Sequence, residues 1–366
     1  MPGLHPPACA ELPGAMARLG RDTGMKQGLA ISIFSGAGGL DVGVDQAGFR
    51  TICAIEKDPH CTDTLRANAK RGKLIVELDV RAIDPAGLMG ALGLSRGELS
   101  LIHAGPPCQP FSQAGKKKGI HDERGPLIFE VARFAEAALP EAILIEQVDG
   151  ILKSGGVIEE LLKRLKKLNY GVSLRVMNAA DAGVPQIRRR LIITAIQNQN
   201  PALQMSISKT PPTVADAISD LPKPVSAEGE DASIENHIDK TPLRDRERIS
   251  FVGEGSWLAK EKSAPPDIRR NLTRKDTTKF RRLAWNEPSL TLRCGEIFYH
   301  PRENRYLTPR EYMRIQGFLD NYVLRGPIRG RTGQVTNLDQ HRQVANSVPP
   351  PLAKRAAQAI KSQLCQ

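Results

Sequence analysis

The chain has 366 residues, enough for one large domain with a sizeable core or for two domains. It is 40% hydrophobic, 4% aromatic and 25% charged, ordinary for a soluble globular protein. No apolar run is long enough to span a membrane, and the formal charge of +12 favours an acidic partner such as nucleic acid.

Residues 1–27 are rich in Pro, Ala and Gly and carry neither strand nor helix period. They lack the charged start and apolar core of a secretory signal, so a disordered extension is expected there, with Met25 as an alternative start to Met1. From residue 29 apolar strand runs alternate with helical patterns. Residues 29–34 read as a strand, 40–47 as a helix stopped by Gly48, 51–55 as a strand, 59–69 as a helix and 74–76 as a short strand. Strands follow at 99–103 and 142–145, with a helix from about 126 to 138 between them. The stretch 157–168 is helical, with Gly171 expected to close it, and strands are expected at 172–176 and 191–195. A βαβα order of this kind predicts a doubly wound, mainly parallel α/β sheet.

The rhythm ends near Gln197. Residues 198–235 are rich in Pro, Ser, Asn and acidic groups, with one helical patch at 214–221, and 240–282 are irregular and basic. Arg269, Arg270, Arg274, Lys275, Lys279, Arg281 and Arg282 crowd one segment, interleaved with Trp257 and Phe280, a pattern that fits a nucleic-acid surface as well as a solvated face. The expected organisation is an α/β domain over 28–197, a smaller inserted domain over 198–338 and a C-terminal segment, 339–366, that returns to the first.

Six cysteines, Cys9, Cys53, Cys61, Cys108, Cys294 and Cys365, form no C-x-x-C pair and no Cys/His cluster with zinc spacing, so no metal site is expected. Their scatter fits a reducing, cytoplasmic setting. One of them stands apart. The apolar run 99–104 is broken by Gly105 and then by Pro106-Pro107-Cys108-Gln109-Pro110-Phe111-Ser112. Prolines fix their own φ and restrict the residue before them, so the thiol leaves a strand end on a stiff turn. In α/β sheets ligands collect at such ends, which argues for a nucleophile over a buried hydrophobe.

Phe34-Ser35-Gly36-Ala37-Gly38-Gly39 follows the first strand, where glycines let backbone approach a ligand at a helix N-terminus. The dinucleotide pattern G-x-G-x-x-G fails, because Asp41 stands at its third glycine. Glu56 ends the second strand, where an acid commonly accepts from ribose hydroxyls, and Asp79 follows the third, where it could meet an adenine amino group. Acids and glycines in register at three strand ends favour an adenosine-containing cofactor.

Taken together these residues resemble the cytosine-5 DNA methyltransferase family. Phe34 to Gly39 look like its cofactor loop and Pro106 to Ser112 like its catalytic loop. Glu146-Gln147-Val148 stands where the family has Glu-Asn-Val, and Gln186-Ile187-Arg188-Arg189-Arg190 fits its Q-x-R-x-R element. Residues 285–292, Leu307-Thr308-Pro309-Arg310-Glu311 and Gln316-Gly317-Phe318 resemble the segment after its target-recognition region, and Asn346-Ser347-Val348-Pro349-Pro350 its last motif. The resemblance implies a Rossmann-like class I methyltransferase sheet with a smaller inserted target-recognition domain, working as a monomer on double-stranded DNA. A cognate restriction endonuclease in the same system is an expected partner without direct contact.

The resemblance also implies roles. Cys108 adds to C6 of a flipped-out cytosine, Glu146 relieves charge at N3, and Arg188 and Arg190 complete the catalytic set, Arg190 at the base O2 and Glu146. S-adenosylmethionine is the implied cofactor, met by Phe34, Gly36, Gly38, Gly39, Glu56, Asp79, Pro107, Leu127, Asn346 and Ser347. DNA contacts fall to Gln109, Ser112, Lys116, Lys117, Gln186, Arg269, Arg270, Arg274 and Lys275. Three departures stand out: Gln147 in place of asparagine, Lys57 where an apolar residue often covers adenine, and Ala345 in place of glycine. An RNA (tRNA) cytosine-5 methyltransferase and a non-catalytic DNA-binding relative are the alternatives. The peptide beside the cysteine turn and the basic insertion favour DNA; intact Cys108, Glu146 and Arg190 favour catalysis.

Overall fold

A computed structural model describes residues 28–107, 125–153, 156–201, 210–225, 233–269, 279–328 and 337–365. Its α/β part runs β1 (Leu29–Ile33), α1 (Gly39–Gln46), β2 (Arg50–Glu56), α2 (Pro59–Ala67), β3 (Leu74–Glu77), α3 (Pro85–Ala91), β4 (Leu101–Ala104), α4 (Glu130–Ala138), β5 (Ala142–Gln147), α5 (Val157–Lys167), β6 (Tyr170–Asn178) and β7 (Arg189–Gln197). Among the described residues these strands form one sheet in the order β3-β2-β1-β4-β5-β7-β6. The first five are mutually parallel, and β7 runs antiparallel between β5 and β6. The doubly wound, mainly parallel sheet read from the sequence is therefore present.

Strand order reverses between β1 and β4, and that switch point sets the site. The glycine loop leaves β1 there and the Pro106-Pro107 segment leaves β4 beside it. Both faces of the sheet are covered, which is why the central strands read as unbroken apolar runs. Alternate residues of each strand serve the two faces. Ile31, Ile33, Ile102 and Ile143 pack with Leu88, Val131, Phe134 and Leu161 of α3, α4 and α5. Ala30, Leu101 and Leu144 pack with Leu40 and Val44 of α1 and with the C-terminal helix α11 (Pro350–Leu364). A Cβ added at Gly43 would lie 2.4 Å from Ala353 Cβ, so the last helix of the chain closes on the first because residue 43 has no side chain.

Two local expectations are corrected. Helix α3 was not anticipated from the sequence, since Gly87 and Gly90 dilute its pattern. Its start is nevertheless legible, because Asp84 accepts from Ala86 N and Gly87 N and Pro85 takes the first turn. The helix at 157–167 is closed by Asn169 at φ 63°, not by Gly171. Gly171 lies inside β6, where a Cβ would sit 2.3 Å from the carbonyl oxygen of Gln199.

Beyond β7 the chain forms short helices α6 (Val214–Ile218), α7 (Leu243–Ser250), α8 (Pro266–Arg269), α9 (Pro309–Gln316) and α10 (Gln340–Asn346) ahead of α11. Helix α9 begins with a capping box in which Thr308 and Glu311 satisfy each other's backbone. Val214, Ile218, Leu283, Phe298, Tyr312, Phe318 and Leu324 share one core with Ala37 and Cys61 of the α/β part and with Val344 of α10. Ile249, Val252, Leu258, Ala264 and Tyr299 make a separate small core. No helix among the described residues is long and apolar enough to cross a membrane.

One buried histidine gives the fold a pH dependence. His103 of β4 is fully buried, its Nε2 3.3 Å from Thr51 Oγ1, and burial pushes its pKa down to about 4. The unfolded chain takes up this proton near pH 6.5 and the folded chain only near 4, so the contribution is complete above pH 6.5 and is lost as the pH falls through that window. Between pH 7 and pH 5 the loss from this residue is about 2 kcal/mol. Denaturant melts at the two pH values check it: His103→Gln should show a drop in stability smaller by that amount, and an unchanged drop would contradict the assignment.

Candidate active site

The loop after β1 owes its shape to three left-handed residues, Phe34 at φ 57°, Gly36 at 53° and Gly38 at 80°. Such φ is cheap for glycine and costly for phenylalanine, so surrounding bonds must hold it. Ser35 N–H donates to Ile55 O, Gly38 N–H donates to Ser35 O, and Gly36 N–H donates to Glu56 Oε2 at 2.8 Å. The other Glu56 oxygen accepts from Lys57 N and Asp58 N. Burial pushes the Glu56 carboxyl up, against these three N–H groups, which pull it down.

Each glycine of the loop faces something different. A Cβ at Gly36 would meet nothing within 4 Å, whereas one at Gly38 would lie 2.4 Å from Tyr322 Oη and one at Gly39 2.3 Å from Val348 O and 3.0 Å from Ser347 Cβ. Gly36 therefore borders open space, while Gly38 and Gly39 are glycines so that later parts of the chain can close on the loop. Tyr322, which no sequence signal singled out, donates to Ala37 O at 2.8 Å. At the third strand end Asp79 accepts two hydrogen bonds from the Arg81 guanidinium, at 3.0 and 2.9 Å, with Lys57 Nζ 3.7 Å away. The Arg81 side chain, helped by Lys57, pulls Asp79 down to about 2. The open space at Gly36, two carboxylates at neighbouring strand ends and the nearby Ser347 fit a ligand with ribose and amino groups.

Across the switch point the Glu146 and Gln147 side chains end β5. Arg190 Nε, from the start of β7, lies 2.7 Å from Glu146 Oε1, and both side chains are nearly buried. Pairing of Glu146 with Ile192 places β7 antiparallel to β5, which brings Arg190 back to the strand end where Glu146 sits. Gln147 Nε2 donates to Pro106 O at 2.8 Å. The longer side chain thus still holds the Pro-Pro turn just before Cys108, the task for which an asparagine was expected.

Gln186 and Arg188 differ from their sequence-based expectations. Gln186, expected to face DNA, is fully buried; its amide donates to Gln316 Oε1 at 2.6 Å and accepts from Leu292 N. Arg188, expected in the catalytic set, is 2% exposed and donates to the backbone carbonyls of Leu292, Ala345 and Ser347. Gln316 Nε2 reaches Ser347 O as well. These side chains clasp four distant segments together, because every buried carbonyl at the junction needs a donor. Arg188→Met is expected to lower folding stability by about 3 kcal/mol, as the Leu292 and Ala345 carbonyls lose this donor and Ser347 O keeps only Gln316, which chemical denaturation would measure.

Residues 29–362 match the C-5 cytosine-specific DNA methylase family. The chain belongs to that family. It is 34% identical over 351 residues to the Type II methyltransferase M.PspPI of Psychrobacter sp. (strain TA137), covering 90% of this chain and 78% of the relative. The same identity over 348 residues, with the same shares, relates it to the Type II methyltransferase M.Eco47II of Escherichia coli. Its fold is similar to a solved structure of an E. coli prophage-encoded protein, with TM-score 0.72 at 23% identity over 93% of this chain and all of that one. It is also similar to the Entamoeba histolytica methyltransferase EhMeth, at TM-score 0.63 and 17% identity over 93% and 99% of the two chains.

As a C-5 cytosine-specific DNA methylase the chain is an enzyme acting on DNA, and several of its expected residues lie along one edge of the sheet. Phe34 and Gly36 follow β1, Glu56 ends β2, Asp79 follows β3, Pro107 follows β4 and Glu146 lies at the end of β5, where it meets Arg190 from the start of β7. Asn346 is exposed, its Oδ1 accepting from Cys294 Sγ, while Ser347 is buried beside Gly39. Leu127 is buried in the core with Ile128 and Val131. Cys108, Gln109, Ser112, Lys116, Lys117, Arg270, Arg274 and Lys275 lie outside the described residues. In the smaller part, Lys260 and Arg281 stand over the Trp257 ring at 5.3 and 5.2 Å, and Arg302 over Trp285 at 4.2 Å. Arg282, counted in the same basic run, is turned inward onto the carbonyls of Ile249, Val252 and His300. Arg269 is half-buried at the end of α8.

Proposed function

We propose that this protein transfers a methyl group from S-adenosylmethionine to C5 of a flipped-out cytosine within one short sequence of double-stranded DNA, through a covalent bond between Cys108 and C6. The observation that carries the reading is the Glu146–Arg190 pair at 2.7 Å, set at the strand end where Gln147 holds the turn that leads to Cys108. A stacked base cannot reach such a cleft, so the target leaves the helix at a cost of a few kcal/mol.

When bound, S-adenosylmethionine supplies an electrophilic methyl group on a sulfonium. Cytosine C5 is too weak a nucleophile to take that group directly. Cys108, as thiolate, adds its electron pair to C6, and the ring becomes enamine-like with density at C5. Glu146 relieves the charge that builds at N3 by hydrogen bond or proton, and Arg190 fixes the carboxyl through Oε1, which leaves the base to the other oxygen. After transfer, water or a side chain takes the C5 proton, the electron pair of that C–H bond re-forms the C5–C6 double bond, and the C6–S bond breaks with its pair returning to the Cys108 thiolate. Gly36, Glu56 and Asp79 would hold the adenosine, with Glu56 toward the ribose. Sequence readout is assigned to the smaller part, where arginine, lysine and tryptophan meet, and phosphate contacts make binding salt-sensitive. The reading extends to a monomeric, cytoplasmic modification enzyme paired with a restriction endonuclease.

Base-resolution cytosine methylation mapping, in a methylation-free bacterial host expressing the chain, tests the proposal. New 5-methylcytosine confined to one short context supports it. No mark on DNA from soluble protein, with methyl transfer to tRNA, would replace it by the RNA reading.

A further inference from the structure

Asp41, the residue that breaks the dinucleotide pattern by standing at its third glycine, lies in the first turn of α1 and is buried against β1. There it accepts from Lys73 Nζ at 2.8 Å and from Ser32 Oγ at 3.0 Å. Lys73 and Asp41 side chains are only 9% and 4% exposed. Ser32 Oγ in turn accepts from Ser35 Oγ at 2.8 Å. Every donor in this chain points toward the carboxylate: Lys73 from one side, and Ser35 to Ser32 to Asp41 from the other. A charged acceptor fixes the direction of both hydroxyl groups and strengthens them in series.

Buried ion pairs are poor sources of stability, since desolvation cancels much of their attraction and apolar replacements of similar volume are often neutral. The pair here must therefore be explained by what it touches. It ends on Ser35, which is flanked by left-handed Phe34 and Gly36 in the loop that sends Gly36 N–H to Glu56. A strained loop persists only when its surroundings over-determine it. The segment between α2 and β3 that carries Lys73 has a second contact to α1, with Lys70 Nζ 3.3 Å from Asp45 Oδ2.

We propose that the buried Lys73–Asp41 pair, acting through Ser32 and Ser35, is a positioning device that holds the loop after β1 in its cofactor-binding shape. None of the four touches the reacting atoms, so they act on cofactor affinity and not on the chemical step. The proposal rests on the S-adenosylmethionine reading above.

The test measures S-adenosylhomocysteine binding by calorimetry, thermal melting and DNA KM on the full chain and its variants. Ser32→Ala removes the relay hydroxyl and leaves the ion pair; its Kd should rise about tenfold, the value of one buried hydrogen bond. Ser32→Thr restores the hydroxyl and should return affinity to near that of the unmodified chain. The double variant Asp41→Leu/Lys73→Met leaves no unpaired charge; it should melt near the unmodified chain yet bind the cofactor at least tenfold more weakly, with the DNA KM unmoved. Unchanged affinity in Ser32→Ala and in the double variant overturns the proposal, whatever their melting temperatures. Should the double variant not fold, Ser32→Ala decides alone. If the unmodified chain binds no S-adenosylhomocysteine, the cofactor reading itself fails and the positioning role falls with it.

Discussion

Cys108→Ser is expected to lower methyl transfer to cytosine by about 10³-fold or more, over ~4 kcal/mol of barrier, while DNA and cofactor binding persist. The proposed addition to C6 needs a polarisable anion, and a thiol of pKa near 8.5 already holds a few per cent thiolate at pH 7. A serine hydroxyl is a far weaker acid and offers no comparable fraction of anion at that pH. Single-turnover transfer of a labelled methyl group, with DNA affinity measured in parallel, separates the two effects. Serine protein that still methylates within tenfold of the unmodified rate would sink the covalent mechanism, though not the family assignment, which rests on the whole of residues 29–362.

Glu146→Gln is expected to cost about 10²- to 10⁴-fold in kcat with little change in KM for DNA, the range for removing a positioned proton donor. Glutamine keeps the volume and an oxygen to accept from Arg190 Nε, now at 2.7 Å from Glu146 Oε1, so the strand end stays packed. What the proposed reaction would lose is the carboxyl group set to relieve charge at N3. A change that fell on KM alone, with kcat retained, would instead make Glu146 a binding group. Because both side chains are nearly buried, a parallel melt confirms that the variant remains folded.

The alternation of strands and helices was legible because each central strand is covered on both faces and must be apolar throughout. Ala142 to Ile145 are fully buried, and that run is plain in the sequence. The glycine loop and the break after β4 at Pro106-Pro107 were legible for another reason: glycine frees and proline restricts the backbone wherever they stand. Weakly marked elements were missed. Helix α3 carries two glycines, and the helix end at Asn169 depends on a residue that tolerates left-handed φ without advertising it.

The destinations of polar side chains were not legible. Arg188 and Arg190 sit two residues apart in one motif, yet one donates to carbonyls at residues 292, 345 and 347 and the other meets Glu146. Gln186 and Tyr322 were likewise assigned their partners by segments more than a hundred residues away. The sequence by itself determined the family and the sheet, and it carries the motifs from which the reacting groups are proposed, since these rest on local pattern and residue chemistry. Tertiary structure decided which charged and amide groups face the cleft and which clasp the fold, because a buried donor goes wherever packing leaves a carbonyl without one.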